Sequence, residues 1–271
     1  MKIFAIRDES MELRKDLAYL FYYETEKKFF IEIPDDADPW EVPMILDSFV
    51  RRGEYTVNAY WSKIWVQQRI VPTDRQNLGM ILKDNNLKEY DEFELLILAM
   101  GRCAQDDCYL AAIGEQQLPE QIRQRMERRI EDIIPLKEYD MLVFFRDGKV
   151  KRCSLMEYFR ETERFQILLK RAEYYYSAAV QTGGYGVQWD VNLSISDDLL
   201  YRTGQNLPLS AEDFKQFIKR NVVNVAEAAE LLGCTRQNID YLTKTGKLHP
   251  VKETGKNTLY LRSEILKYSW R

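Results

Sequence analysis

The sequence predicts an α+β protein with several domains, and three observations support this prediction. The chain has 271 residues, whereas a typical domain has about 100–200, so two or three domains are expected. Strand-like and helix-like patterns both occur before residue 113, and both recur after residue 131. From residue 219 onward the chain is basic, whereas the rest is acidic, which indicates a separate C-terminal module.

Composition places the chain among globular proteins. Apolar residues make up 45% of it and aromatic residues 13%, and no stretch approaches the roughly 18 consecutive apolar residues of a membrane span. The opening residues MKIFAIRDES lack the pattern of a secretory signal, so we expect a cytoplasmic protein. The four cysteines are scattered without a C-x-x-C pair, and His249 is the only histidine. We therefore expect reduced thiols and neither a metal nor another cofactor.

Residues 1–113 are predicted to form an N-terminal α+β domain, whose role the sequence does not indicate. The apolar runs KDLAYLFYYE and FFIEIP flank a polar turn at residues 25–28, which predicts a β-hairpin. Helices are predicted after it from Asp38 to Gly53, over residues 58–70, after a cap at Thr73 or Asp74, and over DEFELLILAMGR.

Residues 114–130 are predicted to be a linker helix, since this segment is polar and contains the cluster IRQRMERR. Its four arginines suit either a solvated connector or contact with nucleic acid. Residues 131–204 are predicted to form a small β-rich α+β domain. It begins with a hairpin that turns at Asp147 and Gly148, continues through a helical or irregular segment, and returns to strands near Gly183.

Residues 131–203 resemble the uncharacterised bacterial family named domain of unknown function 2442. The shared features are a strand before the turn at Asp147 and Gly148, a later strand that contains Trp189, and a closing segment that ends at Tyr201. Residues 190–192 depart from the Pro-Gly-Asp that often follows this tryptophan in the family. The resemblance implies a place beside a helix-turn-helix domain, and it implies no activity.

The segment NVAEAAELLGCTRQNIDYLTKTGKLHP, which opens at Asn224, predicts two short helices joined by a tight turn. The apolar positions of the first helix share one face: Val225, Ala228, Ala229 and Leu232. Asn224 is a suitable N-cap, Glu227 can complete a capping box, and Gly233 permits the left-handed turn that ends the helix. Thr235 is predicted to cap the second helix, and Gly246 to end it.

The second helix is predicted to bury Ile239 and Leu242 and to expose a polar face on the other side. That face combines amides, cations and an aromatic ring, which are the groups that contact base edges and phosphates. The candidate contact residues are Arg236, Gln237, Asn238, Tyr241 and Lys244. Asp240 lies on the flank, where it opposes phosphate contact but can orient Arg236 at i+4 spacing or accept a hydrogen bond from cytosine.

Residues 247–252 and 258–261 are predicted to be the strands of a hairpin, and Ser263 to cap a last helix. Two helices, a hairpin and a capped helix in this order resemble the winged helix-turn-helix of the MerR and excisionase group, over residues 222–271. The resemblance implies that the second helix enters the major groove of DNA and that the hairpin is a wing. The implied wing contacts are Lys252, Lys256, Asn257 and Arg262. Residues 205–271 are therefore predicted to be a connector and a DNA-binding domain.

The distribution of charge supports double-stranded DNA as the partner. Ten Lys and Arg against five Asp and Glu give residues 219–271 a net charge of +5, whereas the remainder carries −9. A module that neutralises about four to six phosphates binds DNA nonspecifically in the micromolar range or more weakly at physiological salt. We therefore expect a homodimer or a partner protein that brings two recognition helices to one site.

The leading hypothesis is a transcriptional regulator whose N-terminal part senses a ligand, dimerises or binds a partner. One alternative is an excisionase-like factor that shapes DNA. Another is an antitoxin or adaptor whose helix-turn-helix contacts protein. The aromatic residues Tyr60, Trp61 and Trp65 suit either core packing or such a contact.

No enzyme is predicted, because each candidate site has a simpler interpretation. The acidic residues at 35–38 and 197–198 suit helix starts. Cys103 and Cys108 lack a second pair of metal ligands, and His249 lacks the partners of a general base. The glycine-rich residues 183–186 lack the lysine and the strand-to-helix context of a phosphate-binding loop.

Overall fold

The computed structural model describes residues 1–11, 15–190, 192–255 and 257–269. The chain divides into two compact units. Unit 1 comprises Met1–Asp147 and Cys153–Gly204, and unit 2 comprises Gly148–Arg152 and Gln205–Arg271. Helices and strands occur in both units, so the predicted α+β class is confirmed. The boundaries predicted at residues 113, 130 and 204 remain a prediction.

The N-terminal part of unit 1 contains a sheet and the helices around it. Its strands are β1 (Lys2–Asp8), β2 (Asp16–Tyr23), β3 (Lys28–Glu32), β4 (Thr56–Val57) and β5 (Cys108–Ile113). Its helices are α1 (Met44–Arg51), α2 (Ala59–Gln67), α3 (Leu78–Asp84), α4 (Glu92–Leu98) and α5 (Glu120–Glu127). The strands form one antiparallel sheet in the order β4-β3-β2-β1-β5.

Both faces of this sheet are buried, which explains the nearly continuous apolar runs of its strands. Successive side chains of a strand point to opposite faces. Phe4 and Ile6 of β1 therefore join the core formed with α1, α2 and α4, whereas Ile3 and Ala5 pack on the opposite face. The hairpin β2–β3 was predicted correctly, but β1 and β5 were not predicted as strands.

Helix α5 covers the second face of the sheet, together with residues from farther along the chain. Leu118 and Ile122 are buried there, and the Tyr185 ring stacks on the Phe30 ring at a centroid distance of 3.7 Å. The helix predicted in residues 114–130 is thus present. It is packed against the sheet, which corrects the interpretation of this segment as a solvated connector.

Two predicted helix starts were wrong. Helix α1 begins at Met44 and not at Pro39, because Pro43 restricts the residue before it and Asp38 instead accepts a hydrogen bond from the Trp40 amide at 2.9 Å. Helix α3 begins at Leu78, after a further turn of chain, so neither Thr73 nor Asp74 caps it. By contrast, helices α2 and α4 lie where helices were predicted, and their N-caps are Asn58 and Asp91.

Residues 130–204 continue with short strands and helices. The strands are β6 (Ile130–Pro135), β7 (Asp140–Phe145), β8 (Lys149–Ser154), β9 (Ala179–Val180), β10 (Gly186–Asp190) and β11 (Leu193–Ser196). The helices are α6 (Met156–Glu161), α7 (Gln166–Lys170), α8 (Ala172–Tyr176) and α9 (Asp197–Thr203). Strands β7 and β8 flank Asp147 and Gly148 as predicted, and Gly148 has a positive φ of 83°. Trp189 and Phe159 belong to the aromatic core of this part of unit 1.

The glycine-rich residues 183–186 serve packing. A Cβ at Gly184 would lie 2.3 Å from the Ile130 carbonyl oxygen, and one at Gly183 would lie 2.4 Å from the Tyr23 hydroxyl. Because only glycine permits so close an approach, the neighbouring Tyr185 can reach both Phe30 and the Arg129 guanidinium, which lies 3.8 Å from the ring centroid.

Arg129 stands at the centre of a buried group of charges in unit 1. Its guanidinium donates to Glu32 of β3 and, at 2.6 Å, to Asp197 of α9. Arg125 also donates to Glu32, at 3.1 Å, and forms an ion pair with Asp35. These two arginines of the IRQRMERR cluster are therefore engaged within unit 1.

Unit 2 contains the C-terminal elements. They are β12 (Gln205–Ser210), α10 (Ala211–Asn221), β13 (Val222–Asn224), α11 (Val225–Leu232), α12 (Arg236–Lys244), β14 (Lys252–Thr254), β15 (Asn257–Leu261) and α13 (Arg262–Ser269). Strand β12 pairs with β8, and a small antiparallel sheet has the order β13-β15-β14. The core of this unit comprises Val223, Ala228, Ala229, Ile239, Leu242, Leu248, Tyr260 and Ile265.

Candidate nucleic-acid interface

Helix α11 forms as its sequence predicts. The Asn224 side chain accepts hydrogen bonds from the amides of Ala226 and Glu227 at 2.8 and 3.1 Å, and the Glu227 carboxylate accepts from the Asn224 amide at 2.8 Å. This reciprocal arrangement is a capping box. At the other end Gly233 adopts φ 61° and ψ 35°, so the chain turns sharply where a residue with a Cβ would be strained.

Helix α12 follows after only three residues. The Thr235 hydroxyl caps it by accepting from the Asn238 amide at 3.3 Å. Ile239 and Leu242 are buried against Ala228 and Ala229 of α11. The helix ends when the Lys247 amide donates back to the Leu242 carbonyl at 2.8 Å. Two short helices thus pack through one apolar contact, which leaves the opposite side of α12 open.

The open side of α12 carries every residue predicted to contact DNA on this helix. Exposed there are Arg236, Gln237, Asn238, Tyr241 and Lys244. Over residues 192–255 and 257–269, none of these side chains has a hydrogen-bond or ion-pair partner within the chain. Asp240 is exposed as well, and the described residues show no ion pair between it and Arg236. The amide and guanidinium groups are therefore available to an external partner.

A hydrogen bond that was not predicted fixes α12 on the sheet. The hydroxyl groups of Thr243 and Tyr260 lie 2.8 Å apart, and Tyr260 of β15 is buried. Thr243 also donates to the Ile239 carbonyl within the helix, at 2.9 Å. The strand pattern of Leu259, Tyr260 and Leu261 favours inward leucines, so the sequence contains no signal for the buried tyrosine or for its contact with α12.

The hairpin after α12 differs from its prediction. Its strands are β14 and β15, paired from Lys252 with Leu259 to Thr254 with Asn257. Residues 247–251 are not a strand, because the chain first closes the end of α12 and then buries Leu248 in the core. Of residues 247–252, Lys252 pairs with Leu259 of β15, and the Val251 amide donates to the Leu259 carbonyl at 2.8 Å.

The predicted contacts on this hairpin lie at different places. Lys252 and Asn257 are exposed on β14 and β15. Arg262 is half-buried at the first position of α13, so Ser263 lies inside the helix and does not cap it. Lys256 lies outside the described residues. Lys247 is an exposed cation at the end of α12 that counted toward the predicted charge but not among the predicted contacts.

His249 has a partner in α13. Its Nδ1 lies 3.0 Å from Glu264 Oε1, and the same carboxylate oxygen accepts from the His249 amide at 2.9 Å. These contacts hold the loop after α12 against the last helix. They give His249 a structural role within unit 2.

The other sequence candidates are held in ion pairs and caps within unit 1. Cys103 Sγ accepts from the Arg69 guanidinium at 2.9 Å, and Asp106 pairs with the same guanidinium at 2.5 Å. Asp197 is the first residue of α9, whose N-cap is Ser196, and it binds Arg129. Among the described residues, no group of three or more His, Cys, Asp or Glu side chains is placed to hold a metal ion.

Comparison with known proteins supports the assignment of the C-terminal fold. A family model described as "Helix-turn-helix domain" matches residues 222–271. No curated protein and no solved structure matches the chain. The match and the geometry of α11 and α12 confirm the predicted helix-turn-helix. The match does not reach residues 131–203, whose resemblance to domain of unknown function 2442 remains a prediction.

None of the helices in the described part of the chain is both long enough and apolar enough to cross a bilayer.

Proposed function

We propose that the protein is a cytoplasmic, non-enzymatic regulator of transcription that binds double-stranded DNA with sequence preference. The observation that carries this proposal is the open face of α12, where amide, guanidinium, ammonium and phenol groups have no partner within the described residues. The match of residues 222–271 to a helix-turn-helix family supports it. In this fold the second helix lies in the major groove.

Each side chain of the open face has a distinct role in the proposed complex. Gln237 and Asn238 can each bond an adenine edge in bidentate fashion, and Arg236 can do the same with guanine. Lys244 and Tyr241 are placed to contact the phosphates along the groove. The N-terminus of α12 contributes backbone amides for a phosphate near Arg236.

The exposed polar residues of the hairpin extend the proposed contact beyond α12. Lys252 and Asn257 lie on paired strands, so their positions are fixed relative to each other. We assign this hairpin the role of the wing in the MerR and excisionase group, where it contacts the sugar-phosphate backbone. The half-buried Arg262 contributes charge near its base.

The test is selection of duplexes from a random library by the full-length protein, followed by titration of the selected duplex. We expect Gln237→Ala to weaken binding to the selected duplex by about 1–3 kcal/mol and to relax the preference at one base pair. Gln105→Ala, the same substitution at an exposed residue of unit 1, is the matched control. It should leave the affinity for the selected duplex and the base preference unchanged. A library that yields no preferred sequence would refute the proposal.

An excisionase-like architectural factor is the second candidate, and the hairpin beside the open helix face favours it. Such a factor bends its site, at a cost of order 1–6 kcal/mol for a 40–90° bend. The place of the binding site and its bending together separate the two functions. Bending at an attachment site, measured by fluorescence energy transfer, supports the architectural factor, whereas occupancy of a promoter supports the regulator.

A partner-binding role for unit 1 supports the remaining alternative, an antitoxin or adaptor. Trp40, Met44 and Tyr60 are 82%, 85% and 67% exposed, and large aromatic side chains are enriched at protein interfaces. Trp61 is also partly exposed, whereas Trp65 is buried in the core. We propose that this surface receives the signal or partner that controls DNA binding. Trp40→Ala should leave the affinity for the selected duplex unchanged while removing that control.

A further inference from the structure

Helix α10 carries two neighbouring apolar side chains, Phe217 and Ile218, that are largely exposed. Phe217 and Ile218 are 53% and 56% exposed, and Leu209 on the preceding strand β12 is 48% exposed. Phe214 is half-buried beside them. Phe214, Phe217 and Ile218 fall at i, i+3 and i+4, so they form one stripe along the helix. Adjacent exposed apolar side chains of this size mark interaction surfaces.

The charged residues that border these apolar side chains are complementary to those of a second, antiparallel copy of the same helix. Asp213 and Arg220 are seven residues apart, so they lie on the same edge of α10, next to Phe217. Asp213 stands near the N-terminal end of the helix and Arg220 near the C-terminal end. When two such helices pack antiparallel about a two-fold axis, the same edges meet. Asp213 of each copy then faces Arg220 of the other.

Both groups have free capacity for this contact. Asp213 Oδ2 accepts from the amide and the hydroxyl of Ser210, at 2.8 and 2.7 Å. Its Oδ1 atom has no partner among the described residues, and the Arg220 side chain has none either. Glu212 is already bonded to Gln216 within the helix, at 2.7 Å. The two-fold arrangement therefore brings together Asp213 and Arg220, the two groups that can each accept a further partner.

We propose that α10 pairs antiparallel with α10 of a second copy, through the exposed side chains of Phe217 and Ile218 and two reciprocal Asp213–Arg220 ion pairs. Such an interface is isologous and closes after two copies. Helix α10 runs directly into β13 of the helix-turn-helix sheet. The pairing therefore couples the positions of two DNA-binding domains without occupying the open face of α12.

The size of the surface predicts weak association in the absence of DNA. A helix of 11 residues is about 16 Å long, and a stable interface buries about 800 Å² on each partner. Since α10 and Leu209 supply less than this, we expect a dimer that forms at high protein concentration and, on DNA with two half-sites, at low concentration. Binding to such DNA should be cooperative.

The test is sedimentation equilibrium of the full-length protein without DNA, over about 5–500 µM, which spans the micromolar dissociation constants expected of so small an interface. The apparent mass of the wild-type protein, whose chain is 32.2 kDa, should approach twice this value at the highest concentrations. Ile218→Asp should remain monomeric. Arg220→Glu should weaken association by about tenfold, because it creates two like-charge pairs. Lys219→Glu has the same change of charge on the opposite side of the helix and should have no such effect.

Mixing of two variants tests the antiparallel register directly. Asp213→Lys and Arg220→Glu should each associate poorly alone, whereas their equimolar mixture should associate, since both pairs in the mixed dimer are then complementary. Circular dichroism verifies that each variant is folded. A wild-type chain that stays monomeric throughout, an Ile218→Asp chain that still dimerises, or a mixture that fails to associate would overturn the proposal. Because no DNA is present, these outcomes are independent of whether the protein binds DNA.

Discussion

Arg129 is almost completely buried, and it contacts side chains from three separated parts of unit 1. These are Glu32 of the sheet, Asp197 of α9 and the ring of Tyr185. A buried guanidinium is tolerated only when carboxylates surround it, since the cost of removing a charge from water is several kcal/mol. Because Arg129 pairs with both carboxylates, removal of its charge is expected to lower the stability of unit 1.

Replacement of Arg129 by Met should destabilise unit 1 by roughly 3–5 kcal/mol, because Asp197 would remain buried without a counter-charge and Glu32 would keep only its ion pair with Arg125. Urea-induced unfolding followed by tryptophan fluorescence measures this loss. Arg128→Met is the control, since the neighbouring Arg128 is exposed and contacts the Tyr201 ring. Equal stability of the two variants would show that the buried ion pairs contribute nothing.

Asp197 should give the stability of unit 1 a distinct dependence on pH. Burial raises the pKa of Asp197 from 3.8 to about 6, although the Arg129 guanidinium acts in the opposite direction. The folded state therefore holds a proton that the unfolded state releases between pH 3.8 and about 6. The contribution of Asp197 is fully present below pH 3.8 and is lost as the pH rises through about 6.

The difference in unfolding free energy between the wild type and Asp197→Asn isolates this contribution. We expect this difference in unfolding free energy to fall as the pH rises from 3.8 to about 6 and to be constant at higher pH. Urea unfolding at several pH values provides the measurement, and the carbon-13 chemical shift of the Asp197 carboxyl reports its pKa directly. A midpoint near 4 in the shift titration would contradict the expectation.

At the scale of single elements, the helix ends of the helix-turn-helix were predicted correctly, whereas the helix starts predicted near Pro39, Asp74 and Ser263 were wrong. Asn224 and Thr235 cap α11 and α12 as predicted. These signals are local, because the cap and the amide that it satisfies are two or three residues apart. The glycine that ends α11 belongs to the same class, since its conformation depends on the backbone alone.

Gly233→Ala should destabilise the helix-turn-helix by about 1 kcal/mol, because alanine in the left-handed region is strained. A Cβ at this position would meet nothing within 4 Å, so the effect is purely one of backbone conformation. Gly79→Ala makes the same chemical change inside α3, also in open space, and should be neutral or stabilising. Hydrogen exchange of amides in α11 and α3 measures the two effects separately.

The elements that the sequence predicted poorly are those that distant contacts determine. The hairpin β14–β15 starts later than predicted because Leu248 is used by the core of unit 2. Strand β1 was missed, and it pairs with β5, whose residues are about a hundred positions away. Periodicity within a short window contains no information about such a partner, so the β1–β5 pairing could not be predicted from it.

For the whole molecule, the contrast between a basic C-terminal unit and an acidic remainder makes salt dependence the most informative measurement. If about four to six phosphates are neutralised, the logarithm of the affinity should fall with the logarithm of salt concentration at a slope near −4 to −5. Fluorescence anisotropy of a labelled duplex across a series of salt concentrations gives this slope. Lys244→Ala should reduce its magnitude by about 1, and Lys88→Ala, an exposed lysine of unit 1, should not.

The candidate site was predicted more fully than the body that carries it. The exposed residues of α12 follow from helical periodicity once Ile239 is taken as the inward position, and the structure exposes all of them. The packing of residues 114–130 could not be predicted in the same way, because the partners of Arg129 are 97 and 68 residues away. When the charged side chains of a polar segment find their partners so far away in the sequence, its composition cannot be distinguished from that of a solvent-exposed linker.

The shared packing of Tyr185 on Phe30 determines how the gene can be divided for expression. A fragment that ends near residue 113 would present the Phe30 ring and the Glu32 carboxylate to water, and it would be expected to precipitate. A fragment that ends after Ser210 retains Tyr185, Arg129 and the strand that pairs with β8. Screening for ligands or crystals of the N-terminal body should therefore start from residues 1–210.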